Sequence, residues 1–183
     1  MLLVNILQPK LVLGGPVTLI TPRMLEQYCL KGLILDVDET LVPWNDTEVS
    51  NELFNWIEQI KKMSISLYLV SNNLSQERIG NIAQALDLPY ILGAAKPSRR
   101  KLKKAIEQMN IPESSVAMVG DRLFTDVLAG NRLGLFTILV EPMIENNQTR
   151  KTWTYLIRNL EIFLSRRLGV SLNPGHNLIQ KDQ

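Results

Sequence analysis

The stretch GLILDVDETLV, residues 32–42, decides the fold. Its first part, residues 32–37, is an apolar run interrupted only by Asp36, as expected of a buried strand in a parallel sheet. Two further acids and a threonine follow directly. Ligand sites of open parallel sheets lie at the carboxyl ends of the strands. The stretch therefore predicts a parallel sheet and also the edge at which its site lies.

Short apolar runs alternate with helical patterns beyond this stretch, which is the signature of βαβ units. The predicted strands are residues 32–37, 65–70, 90–93, 116–119 and 136–140. The predicted helices are residues 47–62, 75–86, 98–109, 123–133 and 148–167, with Thr47 capping the first. The sequence thus predicts an α/β fold, a Rossmann-like three-layer sandwich around a five-stranded, mainly parallel sheet.

The sequence predicts a single domain, because 183 residues are enough for one hydrophobic core and no linker or repeat interrupts them. We expect a core over about residues 32–168, an N-terminal arm over 1–31 packed on it, and a polar C-terminal tail over 169–183. Apolar residues recur at helical spacing within 148–167, and we expect this stripe to pack on the sheet. The basic residues beside the stripe leave contact with an anionic membrane open.

The composition excludes several classes of protein. A net charge of +2 is too small to indicate nucleic-acid binding. Lys10 and the run at residues 14–16 interrupt the apolar start of the chain, and no apolar run is long enough for a transmembrane segment. The single cysteine, Cys29, excludes an internal disulfide, and we expect it to be packed. These features predict a cytoplasmic protein, with a peripheral membrane contact left open.

Polar side chains follow four of the predicted strands. They are Asp36, Asp38 and Thr40 after the first, Ser71, Asn72 and Asn73 after the second, Lys96 after the third, and Asp121 and Asp126 after the fourth. Because the carboxyl ends of parallel strands share one edge of a sheet, we expect these side chains to meet there. Asp36 and Asp121 would supply hard oxygen ligands, which suit Mg²⁺.

This set of side chains suits phosphoryl transfer. With a cation bound, one oxygen of Asp36 remains free to attack phosphorus, and Asp38 can protonate the leaving group and then activate water. Ser71 and Lys96 can hold the phosphate oxygens. Each motif alone is explained equally well as a turn, a helix cap or a solvated charge. It is the joint order, placement and spacing that indicates an active site.

The four motifs together resemble those of the haloacid dehalogenase (HAD) superfamily. Residues 36–42 are similar to motif I, residues 71–73 to motif II, Lys96 to motif III, and residues 120–126 to the GDxxxxD form of motif IV. The resemblance covers roughly residues 32–140. An acid at the position of Asp38 is typical of the phosphatases in this superfamily.

The resemblance implies a role for each of these residues. Asp36 would be the nucleophile and a ligand of Mg²⁺, and Asp38 would be the general acid and base and give the ion its backbone carbonyl. Asp121 would be a further ligand, and Asp126 would support the metal site. The substrate phosphate would be bound at Ser71 and Lys96, with Thr40 steadying the loop and Thr40 and Asn72 also lining the phosphate site.

The intervals between the motifs are too short for a cap domain. The chain therefore resembles the capless subclass IIIA of the superfamily, and most closely the YqeG-type phosphatases, which are related to phosphatidylglycerophosphate phosphatases. The resemblance implies Mg²⁺-dependent hydrolysis of a phosphomonoester through an aspartyl phosphate, with a phospholipid headgroup as the favoured substrate. A nucleotide, sugar phosphate or phosphoprotein substrate remains open, and a non-catalytic phospho-acceptor or scaffold domain is a distant alternative.

Overall fold

The computed structural model of the chain describes residues 2–44, 46–143 and 151–174. The strands are β1 (Leu11–Val12), β2 (Gly32–Leu35), β3 (Ser66–Val70), β4 (Tyr90–Ile91), β5 (Val116–Gly120) and β6 (Phe136–Leu139). The helices are α1 (Leu2–Leu7), α2 (Pro22–Gln27), α3 (Asn51–Lys62), α4 (Gln76–Leu86), α5 (Arg100–Met109), α6 (Leu128–Asn131) and α7 (Lys151–Arg167). Short 3₁₀ turns lie at Val17–Leu19 and Glu113–Ser115, and a π-helical turn spans Leu123–Val127.

The six strands of the described residues form one sheet in the order β1-β6-β5-β2-β3-β4, and every neighbouring pair is parallel. The predicted α/β class is confirmed, but the prediction of five strands is wrong. The additional strand, β1, comes from the N-terminal arm, where Leu11 pairs with Ile138 and Val12 with Leu139. Two residues are too few for a recognisable strand pattern, so only the pairing with β6 defines β1.

Alternate residues of the central strand β2 enter two separate layers of the core. Leu33 and Leu35 belong to the cluster that includes α3, α4 and the N-terminal arm, whereas Ile34 belongs to the cluster that includes α5. All four residues of β2 are buried. The strand that precedes Asp36 is therefore covered on both faces, which makes its carboxyl end a rigid support for a site.

The helix predicted from Thr47 begins later, at Asn51. Ser50 is its cap, with Oγ accepting the N–H of Leu53 at 3.1 Å. Upstream, Oδ1 of Asp46 accepts the N–H of Glu48 at 2.9 Å and holds these residues in a local turn that competes with helix.

Two predictions about packing are wrong. Among the α7 residues whose side chains are described, Leu160 and Phe163 are exposed, whereas Glu161 is buried. Glu161 forms an ion pair with Arg122, and Ser165, one turn further along, is also buried, so this face of the helix lies against the domain. Cys29 is exposed rather than packed, because it follows α2 in the left-handed conformation (φ 52°) at the surface.

Both ends of the described chain pack on the domain and on each other. Leu7 of the N-terminal arm and Val170 of the predicted tail are buried. The side chain of Gln8 donates to the carbonyl of Ser171 and accepts its N–H, both at 2.8 Å. Residues 175–183 of the predicted tail lie outside the described residues.

The carboxyl edge of the sheet carries no inserted domain within the described residues. One helix, α3, lies between β2 and β3, and only α4 and β4 lie between β3 and Lys96. This arrangement agrees with the prediction of a capless fold. A search of the described helices finds none that is both long and apolar enough to cross a membrane.

Candidate active site

The site lies where β2 and β5 end side by side. The N–H of Asp36 donates to the carbonyl of Val119 at 2.9 Å, so the pairing of the two strands continues to this residue. Asp121 follows β5 directly. The strand after β2 in the chain lies on one side of it and β5 on the other, which makes this point the topological switch of the sheet, where open α/β sheets bind ligands.

Three buried carboxylates meet at this point. Asp36, Asp121 and Asp126 each offer one oxygen, and these oxygens lie within 4.8 Å of one another. The π-helical turn carries Asp126 back to the strand end, where its Oδ2 accepts the N–H of Arg122 at 3.2 Å. Gly120 permits this approach, because a Cβ there would lie 2.4 Å from the Asp126 carboxyl group.

Lys96 lies between two of these carboxylates. Its Nζ is 2.5 Å from Oδ1 of Asp36 and 2.7 Å from Oδ1 of Asp126, and it donates to the carbonyl of Val70 at 3.0 Å. Burial disfavours the charge of Lys96, but the Asp126 and Asp36 carboxylates outweigh it and raise the pKa of Lys96. The ammonium group is therefore a permanent positive charge within the site.

Burial raises the pKa of Asp36 to about 7. The ammonium of Lys96 opposes this rise, and the carboxylates of Asp126 and Asp38 add to it. The single positive charge of Lys96 thus does not balance the negative charges of the carboxylates at the ends of β2 and β5. A cluster of three hard oxygen donors with uncompensated charge fits a divalent cation such as Mg²⁺.

The carboxylate of Asp38 contacts a different set of residues. Ser71 Oγ donates to its Oδ2 at 3.1 Å, and Nη1 of Arg78 contacts its Oδ1. Ser71 Oγ also accepts the N–H of Asn73 at 3.0 Å. The structure therefore brings together the predicted residues Asp38 and Ser71 beside, rather than within, the acid cluster.

Two predicted phosphate-binding residues contact other residues of the site. The hydroxyl of Thr40 is fully buried and donates to Oδ1 of Asp121 at 3.5 Å. The side chain of Asn72 accepts the N–H of Lys96 at 2.7 Å and donates to its carbonyl at 3.2 Å. Thr40 thus supports an acid of the cluster, and Asn72 holds the backbone from which Lys96 enters the site.

Sequence reasoning missed Arg78. It lies in the first turn of α4, and in the sequence an arginine near the start of a helix is indistinguishable from a solvated surface charge. Its proximity to Ser71 in the sequence, seven residues away, is the only available signal. The contact with Asp38 depends on how α4 returns over the end of β2, which is a property of the tertiary structure.

A family profile described as HAD-hydrolase-like matches residues 93–158, a segment that includes Lys96 and Asp121. The chain is also similar to the protein named "Probable phosphatase YqeG" from Bacillus subtilis (strain 168). The two are 37% identical over 128 residues, which cover 70% of this chain and 74% of that protein.

Two longer relatives are more distant. The chain is 28% identical over 167 residues to phosphatidylglycerophosphate phosphatase 1, chloroplastic/mitochondrial, of Arabidopsis thaliana, covering 86% of this chain and 47% of that protein. It is 27% identical over 172 residues to phosphatidylglycerophosphate phosphatase 1, chloroplastic, of Chlamydomonas reinhardtii, covering 87% of this chain and 62% of that protein. The chain thus spans less than two thirds of the length of either.

Solved structures share the fold. NagD from Escherichia coli K-12 superposes with a TM-score of 0.52 at 16% identity, over 61% of this chain and 87% of that chain. An uncharacterised protein from Listeria monocytogenes serotype 4b superposes with a TM-score of 0.52 at 15% identity, over 75% of this chain and 99% of that one.

Proposed function

Because this chain belongs to the YqeG-type phosphatases of the HAD superfamily, we propose that it hydrolyses a phosphomonoester through an aspartyl phosphate on Asp36, with Mg²⁺ as cofactor. One observation carries the proposal. Asp36 is buried among the acid cluster and Lys96, whereas Asp38, two residues further along the same loop, has its carboxylate beside Ser71. A nucleophile and a separate acid and base are thus available from one loop.

The reaction proceeds in two steps. An oxygen of Asp36 first attacks phosphorus, the bond from phosphorus to the substrate alcohol breaks, and the departing oxygen takes a proton from Asp38. Asp38 then takes a proton from water, the water oxygen attacks phosphorus, and the bond to Asp36 breaks to release inorganic phosphate. Ser71 and Lys96 hold the phosphoryl oxygens during both steps.

Asp36, Asp121 and the backbone carbonyl of Asp38 would bind the metal, with Asp126 supporting them. A bound Mg²⁺ supplies positive charge that neutralises both the acids and the transferring phosphoryl group. The structural support is the three carboxylate oxygens within 4.8 Å of one another. Without such a charge, the raised pKa of Asp36, about 7, would leave part of the nucleophile protonated at neutral pH.

We propose a phospholipid headgroup phosphate, such as that of phosphatidylglycerophosphate, as the substrate. Two relatives carry the name of that activity. Within the described residues no inserted domain covers the edge of the sheet, and two apolar side chains on the loops after β2 and β3 are exposed, Trp44 by 49% and Leu74 by 81%. Tryptophan and leucine beside an open site suit contact with a lipid surface, where an apolar body and a polar rim are both accommodated.

Helix α7 offers a second contact with lipid. Three exposed apolar residues of this helix, together with Leu168 just after its end, are here termed the outward stripe: Leu160, Phe163, Leu164 and Leu168. Arg166 and Arg167 in the last turn flank the stripe with positive charge. An apolar stripe bordered by arginine fits an anionic lipid surface. We therefore propose a peripheral membrane contact through α7.

The experiment measures hydrolysis of phosphatidylglycerophosphate in vesicles and of p-nitrophenyl phosphate in solution. Asp36→Asn keeps the shape of the side chain but removes its charge, so kcat should fall by about 10³-fold or more on both substrates. Asp87→Asn is the control, since Asp87 is an exposed acid with 99% of its side chain in solvent, and it should leave both rates unchanged.

Excess chelator should abolish activity, and added Mg²⁺ should restore it. Substantial turnover by a folded Asp36→Asn protein would contradict the mechanism. Faster hydrolysis of nucleotides or sugar phosphates than of the lipid would leave the mechanism intact and remove the substrate assignment.

A further inference from the structure

Arg78 connects α4 to the proposed acid and base of the site. Its Nη1 contacts Oδ1 of Asp38, and its Nη2 donates to the carbonyls of Pro43 and Asp46, both at 2.9 Å. Only 13% of the arginine side chain is exposed. Three oxygens therefore hold the guanidinium group, through one contact of Nη1 and two of Nη2.

The carboxylate of Asp38 is held on both of its oxygens. Ser71 Oγ donates to Oδ2 at 3.1 Å, while Arg78 contacts Oδ1. An arginine can only donate hydrogen bonds, whereas a hydroxyl group both donates and accepts. A proton on Oδ1 would face a donor, but a proton on Oδ2 would face a hydroxyl that can accept it. The proton that Asp38 transfers therefore belongs on Oδ2.

We propose that Arg78 is a positioning residue, which directs Oδ2 of Asp38 toward the oxygen that leaves phosphorus in the first step. The inference rests on the proposed function, because it assigns a role within that reaction. With the guanidinium in place, the carboxyl group of Asp38 cannot rotate freely, and the same oxygen serves the leaving group and later the water. Arg78 acts through Asp38, the one site side chain that its guanidinium contacts within the described residues.

The test is a double-mutant cycle of Arg78→Gln and Asp38→Asn, with Mg²⁺ present and with p-nitrophenyl phosphate and glycerol phosphate as substrates. A nitrophenolate departs without a proton, whereas an alkoxide needs one. Arg78→Gln should therefore lower kcat by about tenfold or more for glycerol phosphate and by much less for the aryl ester. In the Asp38→Asn background it should change kcat by less than about twofold, because the group that it positions is gone.

Arg100→Gln is the matched control, since it removes an exposed guanidinium from the next helix and should leave both rates unchanged. Arg78→Lys keeps the charge without the planar fork and should recover part of the rate on glycerol phosphate. If Arg78→Gln does not fold, Arg78→Lys replaces it in the cycle with the same expected pattern.

Three results would overturn the proposal. These are equal losses on both substrates, a raised KM with unchanged kcat, and the same loss with and without the carboxylate of Asp38. The proposed function fails by a different result, namely activity of the Asp36→Asn protein equal to that of the unsubstituted chain.

Discussion

At the scale of single residues, burial and Lys96 shift the pKa of Asp36 in opposite directions. Burial removes water from its carboxylate and raises its pKa from 3.8 to about 7, although Lys96 lies 2.5 Å away. The carboxylates of Asp126 and Asp38 add to the rise. A residue in this state is poised to bind a cation, because the cation relieves the repulsion that its ionisation creates.

The metal-free protein should therefore lose stability as the pH rises. Below pH 3.8 both the folded and the unfolded state hold the proton on Asp36. Between pH 3.8 and 7 the unfolded state releases it while the folded state keeps it, so the free energy of unfolding falls until the folded pKa is passed. Between pH 5 and 8 this loss should reach about 2–3 kcal/mol.

Chemical denaturation in excess chelator measures this loss, with Asp36→Asn as the comparison. Asparagine does not titrate, so the variant should lack this part of the pH dependence. Stability curves of the two proteins that run parallel from pH 5 to 8 would show that Asp36 is ionised throughout in the folded state.

At the scale of elements, α7 is tied to the strand end that carries the acid cluster. Nη2 of Arg122 lies 2.8 Å from Oε1 of Glu161, which is buried on the inner face of the helix. Arg122 follows Asp121 directly, and its N–H holds Asp126. Helix α7 thus contacts the loop between two of the acids through this ion pair.

Glu161→Ala should weaken both the helix and the metal loop. The substitution leaves the half-buried guanidinium of Arg122 without its carboxylate, which should lower the free energy of unfolding by about 1–3 kcal/mol. It should also raise the Mg²⁺ concentration needed for half-maximal activity. Glu161→Gln keeps an oxygen acceptor for Arg122 and should have a smaller effect on both measurements.

Glu58→Ala is the control for this prediction, because Glu58 forms an ion pair with Lys61 on the surface of α3. An exposed pair of this kind contributes less than about 1 kcal/mol. If Glu161→Ala changes stability no more than Glu58→Ala does, the link between α7 and the loop is not a structural support.

At the scale of the whole molecule, one ion pair links the acid cluster to the outward stripe. Arg122 lies in the loop after β5 that carries two of the acids, and Glu161 lies in α7, which carries the stripe. The ion pair joins α7 to the loop that follows β5, and exposed apolar residues of the same helix form the stripe. A lipid surface in contact with the stripe would lie against a helix that is bound to the loop of the acid cluster. This arrangement supports the proposal that the substrate is a lipid.

Polar substitutions in the outward stripe should weaken binding to anionic vesicles. Leu160→Gln combined with Phe163→Gln removes two side chains that are exposed by 56% and 53%, and binding in a vesicle sedimentation assay should fall by about tenfold or more. Hydrolysis of a lipid substrate in the same vesicles should fall in parallel, while hydrolysis of p-nitrophenyl phosphate should not change.

Phe54→Gln is the matched control, because Phe54 is exposed by 44% on α3, outside the stripe. It should leave vesicle binding unaltered. Equal binding of the stripe variant and the unsubstituted protein would exclude α7 as the membrane contact.

The sequence by itself determined the α/β class, the positions of the five strands β2 to β6 and the order of the four motifs. These features depend on local patterns: the apolar run 32–37 contains the buried strand Gly32–Leu35, and the acids follow that strand directly. Ser75 as the cap of α4 is of the same kind, since its Oγ accepts the N–H of Arg78 at 3.2 Å within one turn. Such interactions are complete within a few residues of the chain.

Only the tertiary structure decided which residues meet. β1 exists because two residues of the arm pair with β6, and Arg78 reaches Asp38 because α4 returns over the end of β2. The contact of α7 with the loop after β5 likewise joins Glu161 and Arg122, which are 39 residues apart. These contacts join segments that are distant in the chain, and no local pattern encodes them, since their free energy comes from burial and pairing in the assembled fold.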